Sequence, residues 1–279
     1  MLLLLGIVII ALLGYVSLQK RYMSPCGVVV AVILGLIVLL SDFSMLLLII
    51  AFFISSSLLT KFKYKHKVKE GVAESSLGRS YKQVLGAGAV AVTFSLLKTL
   101  CNIGMIRHNP AQGFFTVGFL GALSTSTSDT WAVEIGVLSK EQPRLITHLK
   151  KKVPKGISGG VTVLGEVASL LGSLFIGVIA IILMLLNLLE VPQVNPQEVL
   201  VITLIAGFIG EKFDSLLGAL FQAKYYCPKC NEMADGIIHT CGNRTVYKGG
   251  VRWFTNEVVN IISTLAGSLI AILIYAFTS

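Results

Sequence analysis

Asp129, Glu134, Glu166, Glu211, Asp214 and Glu257 are carboxylates set within, or at the ends of, long apolar stretches. A charge in hydrocarbon costs about 2.5 kcal/mol or more, so such acids mark ion, metal or substrate sites by default. Only Lys98 and Lys212 lie within the same stretches, and two lysines do not neutralise six acids. A divalent cation would. Mg²⁺ takes a few carboxylates and completes its shell with water and phosphate oxygens, which suits an incomplete, open cage. Glu211 and Asp214 are three apart and share a helix face, as do Asn256 and Asn260, four apart.

A second group of residues suits phosphate. Lys150-Lys151-Lys152-Val153-Pro154-Lys155 runs into Gly156-Ile157-Ser158-Gly159-Gly160-Val161-Thr162, just before an apolar stretch. Free N–H groups at a helix start bind anions, and glycines let the backbone approach them. Lysine adds a point charge for a polyphosphate. The order of a Walker loop is missing. The bland alternative is a basic cytoplasmic loop ending in a Gly-Gly helix start.

A third group suits a soft metal. Cys227-x-x-Cys230 and His239-x-Cys241 place four ligands in fifteen residues. That pattern points to zinc, although H-x-C is less usual than paired C-x-x-C. With all four positions filled by protein, the ion is structural. Its job would be to fold the loop and fix the segment of Glu211 and Asp214 against that of Asn256 and Asn260. The alternative is a set of free thiols beside a loop histidine. Cys26 and Cys101 sit at the edges of apolar stretches and carry no chemistry.

These groups need elements to hold them. The chain has 279 residues, 54% apolar and 13% charged. Soluble domains carry about twice that charged fraction. Apolar runs of membrane-spanning length recur throughout, which predicts an all-α, polytopic membrane protein. The expected spans are residues 1–18, 27–40, 44–60, 84–101, 114–137, 160–189, 199–223 and 254–277, eight in all. Under this division 20 of the 23 basic residues fall in the first, third, fifth and seventh loops. The positive-inside rule then puts those loops in the cytoplasm and both termini outside. All six acids come to lie near the cytoplasmic side, while Asp42, Glu190 and Glu198 fall in outer loops, where water would solvate them. The basic run in residues 61–83 reads as topology and lipid-headgroup attraction. It lacks the aromatic platforms of a nucleic-acid binder. Residues 1–60 are expected to be scaffold, residues 61–279 the functional membrane domain, and residues 224–252 a small cytoplasmic Cys/His loop before the last span.

Two stripes of small residues step by four: Gly118, Ala122, Ser126 and Thr130, and Gly165, Ser169, Ser173 and Gly177. Small residues let helix backbones approach closely. The first stripe ends at Glu134 and passes Asp129 inside the hydroxyl-rich stretch Ser124 to Thr130, whose oxygens could hold a metal or phosphate.

Four stretches carry a resemblance: Ser128-Asp129-Thr130-Trp131-Ala132-Val133-Glu134-Ile135-Gly136, Gly156-Ile157-Ser158-Gly159-Gly160-Val161-Thr162, Gly210-Glu211-Lys212-Phe213-Asp214-Ser215-Leu216-Leu217-Gly218-Ala219, and Asn256-Glu257-Val258-Val259-Asn260. Across residues 70–279 the chain resembles an integral membrane family that includes plant phytyl-phosphate kinase and animal transmembrane protein nineteen. That family in turn resembles CTP-dependent polyprenol kinases and phosphatidate cytidylyltransferase. The resemblance implies phosphoryl transfer from a nucleoside triphosphate to an isoprenoid monophosphate. Asn-Glu-x-Val-Asn stands here where relatives often show Asn-Asn or Asn-Asp.

Together these readings make Asp129, Glu134, Glu211 and Asp214 candidate metal holders, with Mg²⁺ at Asp129 and Asp214. Lys155, Ser158, Gly159, Gly160 and Thr162 are candidates for the nucleotide phosphates. Asn256 and Asn260 would position phosphate or ribose oxygens, and Glu166 is a spare ligand or an orienting group. The expected partners are an isoprenoid phosphate, a nucleotide and membrane lipids, at a cytoplasm-facing site in a prokaryotic plasma membrane. A cytidylyltransferase making a CDP-lipid and an ion-coupled transporter are the alternatives.

Overall fold

Several helices start where the sequence supplies a cap. In the computed structural model, which describes residues 1–73, 77–105, 111–234, 236–239 and 241–278, Ser24 and Pro25 open α2 (Pro25–Ser41) after α1 (Leu2–Lys20). Asp42 opens α3 (Phe43–Lys61) by accepting from the N–H of Ser44 at 2.8 Å. A short α4 (Tyr64–Lys69) follows. Ser80 and Gln83 form a reciprocal capping box at α5 (Tyr81–Asn102), and Asn195 and Glu198 form another at α8 (Pro196–Leu220). Between these lie α6 (Ala111–Gly136) and α7 (Val163–Leu185), and α9 (Asn256–Thr278) ends the chain.

The eight long helices coincide with the eight expected apolar segments, within a few residues at their ends. Five of them, α1, α3, α5, α7 and α9, are long and apolar enough to cross a bilayer. The apolar α2 has only 17 residues. The loops depart from an all-helical expectation. β1 (Arg144–Leu145), β2 (His148–Lys152) and β3 (Gly160–Val161) form one antiparallel sheet, in the order β2-β1-β3. β4 (Lys224–Cys227), β5 (Glu232–Ala234) and β6 (Val246–Gly249) form another, in the order β5-β4-β6. Arg107, the lone basic residue of its loop, lies outside the described residues.

α6 is the central post. It packs against α3, α5, α7, α8 and α9. Three of its hydroxyls, read from the sequence as possible ligands, are spent on neighbouring backbones instead. Ser124 donates to Thr203 O at 2.7 Å, Thr125 to Ala206 O at 3.2 Å and Ser126 to Ala87 O at 2.6 Å. From α9, Ser268 donates to Gly118 O at 2.8 Å. Such bonds fix helix rotation at about 0.6 kcal/mol each, and up to about 2.

The small-residue stripes are packed shut. Gly172 of α7 lies on Ser128 of α6, and Gly207 of α8 lies between Ser124 and Ser173. A methyl group on Gly121 would stand 2.6 Å from Gly267 O and 3.0 Å from Ser268 Cα. Backbone cannot yield there as a side chain could. Asp42 also departs from expectation. It is not left to water but accepts from Lys98 Nζ at 2.7 Å, tying α3 to the far end of α5.

Gly121→Ala is expected to pry α6 from α9 and lower stability by about 1–3 kcal/mol, the usual cost of overpacking. A thermal melt in detergent showing an unchanged Tm would contradict this packing.

Candidate functional site

The start of α5, the end of α6, the starts of α7 and α9 and the end of α8 meet around one cavity. It encloses about 1240 Å³ of free space, including its open mouth. Asp129, Glu134, Glu166, Glu211, Asp214, Asn256 and Asn260 line it, with Ser158, Gly159, Gly160 and Thr162 on the facing loop. The structure therefore brings together acids from α6, α7 and α8. It leaves out Glu257, which accepts from Thr255 Oγ1 at 2.6 Å at the start of α9.

Charge balance sorts the acids. Glu134 has both oxygens taken: Thr60 Oγ1 donates at 2.6 Å and Lys67 Nζ at 2.5 Å. Lys67 is 1% exposed and also donates to Leu59 O at 2.7 Å. A lysine from the basic loop thus enters the protein, a neutraliser absent from the count of Lys98 and Lys212. Glu134 is an anchor for α4 rather than an open metal ligand. Lys212 bridges Glu166 and Glu211. Glu211 accepts further from Ser169 and Ser215, at 3.2 and 3.0 Å.

Two acids remain without a lysine or arginine contact. Asp214 accepts from Ser263 Oγ at 2.8 Å. Asn260, with its amide nitrogen turned inward, donates to Asp214 at 3.1 Å and to Asn256 O at 3.2 Å. Among the described residues no donor reaches the carboxylate of Asp129. The charges of Asp129, Asp214 and Glu211 act on one another across the cavity. Two oxygen-donor acids line one cavity, Asp214 braced by Ser263 and Asn260 and Asp129 open, and acids of this kind could hold a hard cation such as Mg²⁺.

The loop before α7 keeps its place but not all of its expected chemistry. Lys155 does not line the cavity; it pairs with Glu70 at 3.3 Å. Lys150, Lys151 and Lys152 stand exposed on β2. Ser158 gives its hydroxyl to Gln222 at 2.7 Å, and Thr162 caps α7 by accepting from the Gly165 N–H at 3.0 Å. Gly160 donates its N–H to Ile157 O at 3.0 Å. Gly159 has φ +79°, and a methyl there would lie 2.8 Å from Ser215 O, so the turn presses directly on α8. The side chains of this loop hold its shape, and its backbone faces the acids.

The cation that does reach the cavity is Arg79, which sequence reading passed over as one of seven basic residues in a loop. Among the described residues it is the only lysine or arginine in the lining. The signal was its place, directly before the Ser80 cap of α5.

The Cys/His loop forms a second, separate centre. The ligand atoms of Cys227, Cys230, His239 and Cys241 all lie within 4.8 Å of one another. Cys227 and Cys241 sulfurs are 3.7 Å apart, matching the edge of about 3.8 Å of a tetrahedron with 2.3 Å bonds to zinc. Asn243 donates to Cys241 Sγ at 3.2 Å. That bond, with help from His239, pulls the Cys241 thiol down to about 5, into the thiolate form that metals bind. The sheet carrying this cluster is clipped to both functional helices: Val251 N–H donates to Phe221 O at 2.8 Å, and Ala223 N–H to Phe254 O at 3.0 Å.

Cys230→Ser is expected to lower bound zinc, read by elemental analysis, and to lower Tm. A parent protein without zinc would remove the metal from this loop. Lys67→Met strands Glu134 and is expected to cost about 3–5 kcal/mol, with Lys67→Met/Glu134→Gln recovering much of it in thermal melts.

No solved structure matches the chain. An uncharacterized membrane protein of Methanocaldococcus jannaschii, MJ0933, is 30% identical over 97% of this chain and 93% of its own length. Protein PGR of Arabidopsis thaliana is 29% identical over 96% and 94% of the two chains. Protein VTE6, chloroplastic, of the same plant is 29% identical over 91% of this chain and 66% of that one. The likeness therefore reaches into the first helices, beyond residues 70–279. With a family model matching residues 8–268, the chain belongs to the integral membrane protein family DUF92.

Proposed function

We propose that this protein is a membrane-embedded, divalent-metal-dependent lipid-phosphate kinase. It would move a phosphoryl group from CTP or a similar nucleoside triphosphate to an isoprenoid monophosphate such as phytyl phosphate. The observation that carries this reading is the polar cavity in which Asp129 and Asp214 lack a lysine partner while Arg79 stands across from them. Likeness to VTE6 and the resemblance to phytyl-phosphate kinase support the isoprenoid class.

Phosphoryl transfer asks the protein for alignment and charge neutralisation more than covalent chemistry. An oxygen of the lipid phosphate attacks the γ-phosphorus. The bond from that phosphorus to the β–γ bridging oxygen breaks, and the nucleoside diphosphate leaves with the bonding pair. The attacking oxygen is already an anion, so no strong general base is needed. Asp129 and Asp214 would hold Mg²⁺, which lowers the negative charge between donor and acceptor phosphates. Ser263 and Asn260 keep Asp214 aimed. The turn at residues 157–160 offers backbone to the triphosphate, and Asn256 reaches the same space.

In this reading all eight long helices cross the bilayer, both termini lie outside, and the cavity faces the cytoplasm of a prokaryotic cell. The zinc-type loop is structural. It is clamped to the end of α8 and the start of α9, so it holds Asp214 and Asn260 in register. Transport fits less well, because the acids crowd one end of the bundle and no second broken-helix repeat balances them.

Purified protein supplied with phytyl phosphate, CTP and Mg²⁺ is expected to move γ-labelled phosphate into lipid. Cytidine label in lipid instead would establish a cytidylyltransferase. Asp129→Asn and Asp214→Asn are each expected to lower turnover by about a hundredfold or more. Tm should hold or rise, since an amide is less costly to bury than a carboxylate. Full turnover in both variants would overturn the metal assignment.

A further inference from the structure

The first three helices do more than brace the bundle. Between α1, α2, α3 and α5 lies a second cavity, enclosing about 940 Å³ of free space including its mouth. Ile10, Leu34, Leu46, Ile50 and Ala91 represent its walls, which are apolar almost throughout. The polar lining is gathered at one end, at Ser17, Arg79 and Gln83, where α1 finishes and α5 begins. A chamber graded from a cationic mouth to an apolar depth fits a molecule with an anionic head and a hydrocarbon tail.

The two cavities share a wall. Arg79, which precedes the Ser80 cap of α5, lines both, as do Gln83 and Ala87, four apart on one face of that helix. This row of side chains lies between the apolar chamber and the acids. From Gln83 to Val92, both lining the chamber, α5 runs about 14 Å.

Arg79 is also fixed by the N-terminal helices. Its N–H donates to Tyr22 O and its carbonyl accepts from the Ser24 N–H, both at 3.0 Å. Beside it Gly78, at φ +78°, lies so close to the Tyr22 backbone that a methyl would stand 2.6 Å from it. No carboxylate forms an ion pair with Arg79 among the described residues. Its guanidinium acts on Asp129 by charge but forms no ion pair there, so its fork can take a bidentate acceptor, and phosphate is the acceptor that geometry matches best.

The geometry points to the chamber of α1, α2, α3 and α5 as the site of the substrate's isoprenoid tail, with its phosphate held by Arg79 at the boundary with the acid cavity. This rests on the lipid-phosphate reading above and adds where the lipid lies. α1, the outer wall of the chamber, buries only Gly6, Ile10 and Ser17, and is the wall least held by the rest.

A phytyl phosphate carrying a diazirine at the far end of its chain tests this on the whole protein in detergent, without nucleotide. Irradiation should label peptides of residues 2–61 and 81–102. Unlabelled phytyl phosphate should displace the label, and phytol or phosphatidylglycerol should not. Gly88→Leu is tolerable in the backbone, since its Cβ meets only Leu34 at 3.5 Å, and its branches would project into the chamber. It should raise KM for phytyl phosphate by about tenfold or more while leaving dimethylallyl phosphate unaffected. Label confined to α7, α8 or α9, label indifferent to competitor, or equal competition by phosphatidylglycerol would each overturn the chamber assignment. Correct labelling with no γ-phosphate transfer would sink the kinase reading alone. Transfer without labelling here would sink the chamber alone.

Discussion

Close backbone approach around α6 is the constraint on which the rest depends. Gly121 against Gly267, Gly172 against Ser128, and Gly207 against Ser124 leave no room for side chains between the helices. Helices that near can exchange hydroxyl-to-carbonyl hydrogen bonds, and those bonds set rotation as well as distance. Rotation decides which side chains look inward at the end of the bundle. Asp129 faces Asp214 because the turns of α6 above it are locked to α5, α8 and α9.

Burying acids in such a bundle is tolerable only where the charge is answered. Glu134 is answered by Lys67, Glu166 and Glu211 by Lys212, and Asp42 by Lys98. The accounting stops at Asp129 and Asp214, which form no ion pair with a lysine or arginine among the described residues. A protein that solves this problem three times and leaves it open once marks the place where something else is meant to bind. The neighbouring apolar chamber and Arg79 between the two cavities give that place a direction, from hydrocarbon on one side to anionic chemistry on the other.

Much of this was legible in the chain. Apolar run length located every long helix, because in a bundle of this kind hydropathy and span length are tightly linked. Intramembrane acids located the cavity, and C-x-x-C with H-x-C located the metal-type cluster. What stayed hidden was pairing. Lys67 looks like one more member of a basic loop, and nothing local says that it turns inward to a carboxylate on α6. Lys155 looks like a phosphate ligand, yet Glu70 captures it. Arg79 looks like topology. Ser124, Thr125 and Ser126 look like ligands but serve as interhelical donors. Each of these depends on distant backbone, which periodicity and composition do not encode. The small sheets were missed for a related reason: their strands are two to five residues long, too short to show alternation.

The Lys67–Glu134 pair carries a consequence for how the chain assembles. The two residues are 67 positions apart, and the lysine is made first. Until α6 is made, Lys67 lacks the carboxylate it pairs with, and drawing it into the interior would be costly. α4 must therefore wait at the aqueous boundary while two further helices are synthesised. Only then can it fold back and seal the end of α3 by way of Thr60, so this corner of the protein is completed late, as a latch set after the post it closes on.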